Sequence, residues 1–168
     1  IIFSSKKLKI LDIGGSLHLL SKLISDKHDY ILCDTKNYKS QTFKNAKIKM
    51  KFYNCDWYYL PKFKKNSFDI IISNDLFPNV DQRLSLFLSK FVKYGKKLIM
   101  SLTCTEHKYN KFYQAKRLDK NEILTILPYN KDNLFRILRK NKINVSENSY
   151  QKSPNLFHNG RNIYILEL

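Results

Sequence analysis

An open, doubly wound α/β sheet of mostly parallel strands is the fold class that this sequence predicts, and three observations carry the prediction. Short apolar runs recur along the chain, too continuous for half-exposed strands. Segments with helical spacing alternate with them, as a parallel sheet with crossover helices requires. Three successive runs close on an acid, at the carboxyl strand ends where ligands of such sheets bind.

The first strand is Leu8 to Ile13, and Gly14-Gly15-Ser16 turns it into a helix whose Leu17, Leu20, Leu23 and Ile24 share one face. A second strand spans Tyr30 to Cys33 and ends in Asp34. A third runs from Ile48 to Tyr53 and ends near Asn54-Cys55-Asp56. The polar stretch Lys36 to Lys47 between them has no clear period. Phe68 to Ser73 is the strongest strand, followed by Asn74-Asp75-Leu76-Phe77-Pro78 as a non-helical connection. Leu84, Phe87, Leu88 and Phe91 then repeat at helical spacing until Gly95 stops them. Leu98 to Leu102 makes a fifth strand, and Thr103 to Arg117 is a long irregular loop of the kind that often carries function. Asp119, with Glu122 three residues on, predicts a helix start that Pro128 interrupts before Leu134 to Leu138 resumes it. Lys142 to Val145 and Arg161 to Leu168 close the chain as strands.

A chain of 168 residues, 43% hydrophobic, with 4 Gly and 4 Pro, has the size and composition of one globular domain. Its longest aliphatic run, Ile70-Ile71-Ile72, is far below the ~20 apolar residues of a membrane span, and no signal-like segment opens it, so a soluble cytoplasmic protein is expected. Cys33, Cys55 and Cys104 are odd in number and lack CxxC or His-pair spacing, which argues against disulfides and structural zinc, and no metal is expected. The formal charge is +17 and favours an anionic partner. Lys far outnumbers Arg, however, in a chain also rich in Asn, Ile, Phe and Tyr. These residues share A/T-rich codons, so a solvated lysine surface from codon bias competes with a functional basic face.

Asp12-Ile13-Gly14-Gly15-Ser16 lets a ligand approach the backbone, yet it is neither GxGxxG nor followed by GK[ST], which speaks against dinucleotide and nucleoside triphosphate sites. Asp34, beyond the second strand, suits two ribose hydroxyls, and Asp56 beside Trp57 suits an adenine amine. The set fits an adenosine without phosphates. As simpler alternatives, these acids serve turns, the glycines serve only the strand-to-helix bend, and Trp57 is packing.

On these residues the chain resembles the class I S-adenosylmethionine-dependent methyltransferases, from about Leu8 to Leu168. The glycine motif matches Leu11 to Ser16, the ribose acid matches Asp34, the adenine-side acid matches Asp56, and Phe68 to Leu76 matches the fourth motif, which borders the methyl-transfer site. The resemblance implies the family's Rossmann-like sheet with an antiparallel last strand, formed by Asn162 to Leu168. It also implies S-adenosylmethionine as cofactor, S-adenosylhomocysteine as product, and Asp12, Gly14, Gly15, Ser16, Asp34, Thr35, Asp56, Trp57 and Asn74 as cofactor contacts. Ser16 replaces a glycine common in the family. The first strand comes within ten residues of Ile1, so a domain lacking N-terminal cover helices is expected.

Asn74-Asp75-Leu76-Phe77-Pro78 departs from the [DN]-P-P-[YFW] signature of nucleobase amino-methylating relatives, which disfavours that activity. Asn74 to Leu84 and Phe112 to Arg117 resemble small methyltransferases of bacterial surface-polysaccharide gene clusters. This second resemblance implies O-methylation of a small polar, anionic acceptor such as a capsular phosphoramidate or a sugar precursor. A neutral hydroxyl needs a base, for which Asp75 and His107 are the candidates. Phe77, Arg83, Tyr113, Lys116 and Arg117 are the candidate acceptor contacts, a plain surface role being the alternative for Arg83. An RNA methyltransferase or basic nucleic-acid-binding module on the same fold is the rival reading, and the excess of Lys over Arg counts against it.

Overall fold

The computed structural model describes residues 4–17, 19–36, 50–105, 112–117, 122–145, 150–152 and 161–168. Its strands are β1 (Lys9–Ile13), β2 (Asp29–Asp34), β3 (Lys51–Asn54), β4 (Ile70–Phe77), β5 (Leu98–Thr105), β6 (Tyr113–Arg117), β7 (Glu122–Ile126), β8 (Tyr129–Asn130), β9 (Tyr150–Lys152) and β10 (Arg161–Glu167). The helices among the described residues are α1 (Leu19–Lys27), α2 (Leu84–Phe91) and α3 (Lys131–Lys140), with a short 3-10 turn at Trp57–Tyr59. The main sheet has the order β3-β2-β1-β4-β5-β10-β9, with β8 attached to β5 and a separate β6-β7 hairpin. Pairing is parallel for β3 with β2, β2 with β1 and β1 with β4, while β10 and β9 are antiparallel. This is the doubly wound, mostly parallel architecture the alternating runs predict.

Compactness divides the chain into a first unit, Ile1–Asn74 with Lys90–Ile99, and a second, Asp75–Ser89 with Met100–Leu168. In the first unit Ile10, Ile24, Tyr30, Leu32 and Ile70 form a buried cluster, flanked by Leu8, Met50, Phe52, Ile72 and Ile99. Burial of both faces of the central strands explains why their sequences are apolar runs and not alternations. The α1 expectation needs correction: Ser21, Ile24 and Ser25 are buried, whereas Leu20 and Leu23 are exposed. The buried hydroxyls are satisfied locally, Ser21 Oγ donating to the Ser16 carbonyl and Ser25 Oγ to the Lys22 carbonyl. Serines can therefore face inward at little cost. At the other end of this unit Lys90 Nζ donates to the carbonyls of Trp57 (3.3 Å), Tyr58 (2.6 Å) and Leu60 (2.9 Å). Partial burial lowers the pKa of that ammonium below its ordinary value.

In the second unit four expectations are corrected. β4 continues through Asn74 to Phe77, where a connection is expected, and β5 continues to Thr105. Residues 113–117, expected as loop, pair antiparallel with Glu122–Ile126, expected as helix. Ile123, Thr125 and Ile126 are β-branched, and cross-strand pairing outweighs the local capping pattern; Asp119 lies outside the described residues. α3 begins instead after Pro128, its N-cap Asn130 side chain accepting from Asn133 N at 2.8 Å. Lys142 to Val145 is not a strand. Lys142 takes φ 58°, and Lys142 N and Ile143 N donate back to the Arg139 and Leu138 carbonyls, so these residues close the helix C-terminus.

Candidate functional site

Along the carboxyl edge of the first unit the register places the expected cofactor residues side by side. Ile13 aligns with Cys33 and Asp34 with Asn54, so the Gly14-Gly15 turn, Asp34 and Asp56 follow three adjacent parallel strands. Gly14 adopts φ 75°, a region that favours glycine, and its N–H donates to the Cys33 carbonyl at 2.8 Å. A Cβ on Gly15 would stand 2.4 Å from Asp12 Oδ2, so no side chain fits there without displacing that carboxylate. Asp12 itself is buried and accepts from the Tyr30 hydroxyl. Its described bond shapes the turn from beneath, a role the sequence reading did not separate from ligand contact.

Asp34 is half-buried, Oδ1 accepting from Lys36 N at 3.1 Å, and Asn54 Nδ2 donates to the carbonyls of Asp34 and Lys36. These bonds tie Asp34 and Lys36 to the end of β3. Asp56 caps the 3-10 turn, Oδ1 accepting from Tyr58 N at 2.8 Å. Trp57 is buried, its ring edge-on to Phe91 and Tyr58, and is a packing residue; Tyr58 and Tyr59 are the exposed rings of that segment. Ser16, Thr35 and Asn74 are exposed. Cys33, buried beneath this edge, donates from Sγ to the Cys55 carbonyl at 3.3 Å, and burial pushes its thiol pKa far up.

In the second unit Asp75 has φ 53°, uncommon for a residue with a side chain and often found where a group is aimed for function. Its N–H donates to Ser101 Oγ at 2.8 Å, and its Oδ1 accepts from Thr103 Oγ1 at 3.0 Å and from Asn79 Nδ2. Asn79 Nδ2 also reaches Thr103 Oγ1 at 2.9 Å. Sequence reasoning found Asp75 and missed its three partners. The signal for Ser101 and Thr103 was the polar alternation of Ser101-Leu102-Thr103 inside an apolar strand, which puts both hydroxyls on one face.

The remaining acceptor candidates divide. Phe77, expected as an acceptor contact, is fully buried against Phe87, with centroids 5.0 Å apart, and packs in the core. Arg83 is held by Asp81 through a two-pronged ion pair, NH2 to Oδ2 at 2.6 Å and Nε to Oδ1 at 3.0 Å. Lys116 is exposed on β6; Tyr113 and Arg117 share that strand, their side chains outside the described set. His107 lies outside the described residues, so Asp75 is the candidate base that the geometry presents. Among the described residues no three His, Cys, Asp or Glu side chains gather as a metal site, and no helix is long and apolar enough to cross a membrane.

Comparison of this architecture with solved structures defines its class. It is similar to an S-adenosylmethionine-dependent methyltransferase from Methanosarcina mazei, with TM-score 0.68, 15% identity, and coverage of 98% of this chain and 93% of that one. It is also similar to 1,6-didemethyltoxoflavin-N1-methyltransferase from Burkholderia thailandensis, solved with 1,6-didemethyltoxoflavin and S-adenosylhomocysteine (TM-score 0.67, 12% identity, 96% and 70% coverage). A third likeness is to magnesium protoporphyrin IX methyltransferase from Synechocystis with bound S-adenosylmethionine (TM-score 0.57, 16% identity, 96% and 69% coverage). The fold is that of the class I S-adenosylmethionine-dependent methyltransferases. No protein-family model matches the chain, and no curated protein matches it by sequence.

Proposed function

We propose that this protein is an S-adenosylmethionine-dependent methyltransferase that O-methylates a small polar acceptor. The observation that carries the reading is the Gly14-Gly15 turn packed on the Asp12 carboxylate, with Asp34 at the next strand end, on this fold. The donor set fits the cofactor. Acids at the ends of β1, β2 and β3 repel phosphates and suit an adenosine whose sulfur is cationic. When bound, the cofactor supplies an electrophilic methyl group. Asp34 would accept hydrogen bonds from the ribose hydroxyls, and the backbone at Gly14 admits the ligand at close range.

Asp75 follows Asn74 directly along β4 and offers a carboxylate oriented by Thr103 and Asn79. As base it would take the proton of an acceptor hydroxyl as that oxygen attacks the methyl carbon. An anion at this position favours a neutral hydroxyl, such as that of a sugar precursor, over a phosphoramidate oxygen. The surface-glycan destination, the cytoplasmic location and the small-molecule acceptor are parts of the same proposal.

Calorimetry with S-adenosylmethionine and S-adenosylhomocysteine tests it. Wild-type protein should bind both, and Gly15→Val, whose added carbons collide with Asp12, should bind at least about 100-fold more weakly while still folding, a loss of roughly 2.7 kcal/mol. Wild-type protein that binds neither ligand sinks the reading. Transfer of labelled methyl to neutral hydroxyl acceptors and not to phosphorylated ones would support the acceptor class.

A further inference from the structure

The first unit carries opposite charge on its two edges. Asp12, Asp34 and Asp56 lie at or just beyond the carboxyl ends of its strands, whereas several lysines stand at the amino ends: Lys7 and Lys9 at β1, Lys27 before β2, Lys51 at β3. Lys96 and Lys97 stand in the same place before β5. Four of these lysines, Lys7, Lys9, Lys27 and Lys51, line one cleft of about 690 Å³ together with the carboxylates of Asp26 and Asp29, and buried His28 and Tyr30 lie along it.

The acids of this edge are each met by a lysine: Asp26 by Lys22 (2.6 Å), Asp29 by Lys7 (2.6 Å) and Asp69 by Lys96 (2.7 Å). The Lys9 and Lys51 ammonium groups rest over the rings of Phe68 and Tyr53, at 5.3 and 4.8 Å from the centroids. Such contacts orient the cations without cancelling their charge. A cleft walled by oriented cations attracts closely spaced anions.

We propose that this amino-edge cleft binds the phosphate backbone of single-stranded nucleic acid. A cleft of this size admits a flexible strand more readily than a duplex, and its concavity is a poor match for a flat lipid surface. The exposed rings Tyr58 and Tyr59 follow β3 at its opposite end, so the cleft has no stacking platform among the described residues. Recognition is therefore electrostatic and indifferent to sequence. The site is separate from the cofactor edge, and its test does not depend on methyl transfer.

Fluorescence anisotropy with a labelled oligouridylate of about twenty nucleotides provides the test. If Lys9, Lys27 and Lys51 each neutralise one phosphate while Lys7 stays with Asp29, affinity should fall roughly 20-fold between about 50 and 200 mM salt. The triple variant Lys7→Glu, Lys27→Glu, Lys51→Glu should bind at least about tenfold more weakly and show a shallower salt slope, with Lys→Gln replacements at the same positions as a milder check on folding. A charge-matched variant of the second unit, Lys131→Glu, Arg136→Glu, Lys140→Glu, should lose less than about threefold. No binding at low salt, equal losses in the two triple variants, or binding to phosphatidylserine vesicles without binding to the oligonucleotide would each overturn the proposal.

Discussion

Asp34 and Asp56 of the first unit and Asp75 of the second are held in different ways. Asp34 and Asp56 each accept from a backbone N–H two residues ahead, at Lys36 and Tyr58. Asp75 is held by Thr103, 28 residues away, with its own N–H on Ser101, 26 residues away. Local turns therefore position the first set, and strand pairing positions the second. A group oriented by short-range bonds survives sequence drift elsewhere in the chain. One oriented across strands depends on the whole unit and so can be aimed more finely.

The sharpest way to separate the two regions is to change one and measure the other's work. Asp75→Asn keeps an oxygen for Thr103 and Asn79 but removes the charge, so turnover should fall about 10²- to 10⁴-fold while cofactor affinity, read by calorimetry, stays within about twofold. A parallel loss of affinity would place Asp75 with the binding residues. Asp34→Ala is expected to do the reverse, weakening cofactor binding by roughly 1 to 3 kcal/mol, because it deletes charge-assisted bonds to hydroxyls. Unchanged affinity in that variant removes Asp34 from the site.

Lys90→Met tests how the first unit supports its edge. The ammonium ties down three carbonyls of the segment that follows Asp56, and its loss should cost about 1 to 3 kcal/mol in urea unfolding, with Tyr58 and Tyr59 more accessible to chemical modification. The smallest effect expected is at Asp69. The Lys96 ammonium, and after it the Lys9 N–H, hold this carboxyl pKa below its ordinary 3.8. The folded pKa being the lower one, the stabilisation is complete above the ordinary value and disappears as pH falls through the folded value. The pair is solvent-screened, so about 1 kcal/mol or less is at stake, and Asp69→Asn should flatten the unfolding midpoint against pH in that acid range.

Legibility follows the same division. The Gly14 turn and the strand-end positions of Asp34 and Asp56 were readable because they are set by bonds within a few residues of where they stand. The burial of Trp57 and Phe77 was not readable because an aromatic beside a motif looks alike whether it faces a ligand or the core, and only the tertiary structure shows their packing on Phe91 and Phe87. Glu122–Ile126, expected as helix, is a strand because a capping pattern is worth about 1 kcal/mol, less than the pairing of five residue pairs between β6 and β7.

What the amino-acid sequence determined by itself is the succession of strands and helices, the glycine turn after β1 and the acids that end three strands, since these rest on periodicity and turn chemistry. The partners of Asp75, the inward rings of Trp57 and Phe77, the β6-β7 hairpin and the gathering of Lys7, Lys9, Lys27 and Lys51 around one cleft were decided only by tertiary structure. Each depends on which distant strand lies alongside, and that choice is settled by summed burial and pairing over a whole unit, to which no single residue's propensity gives access.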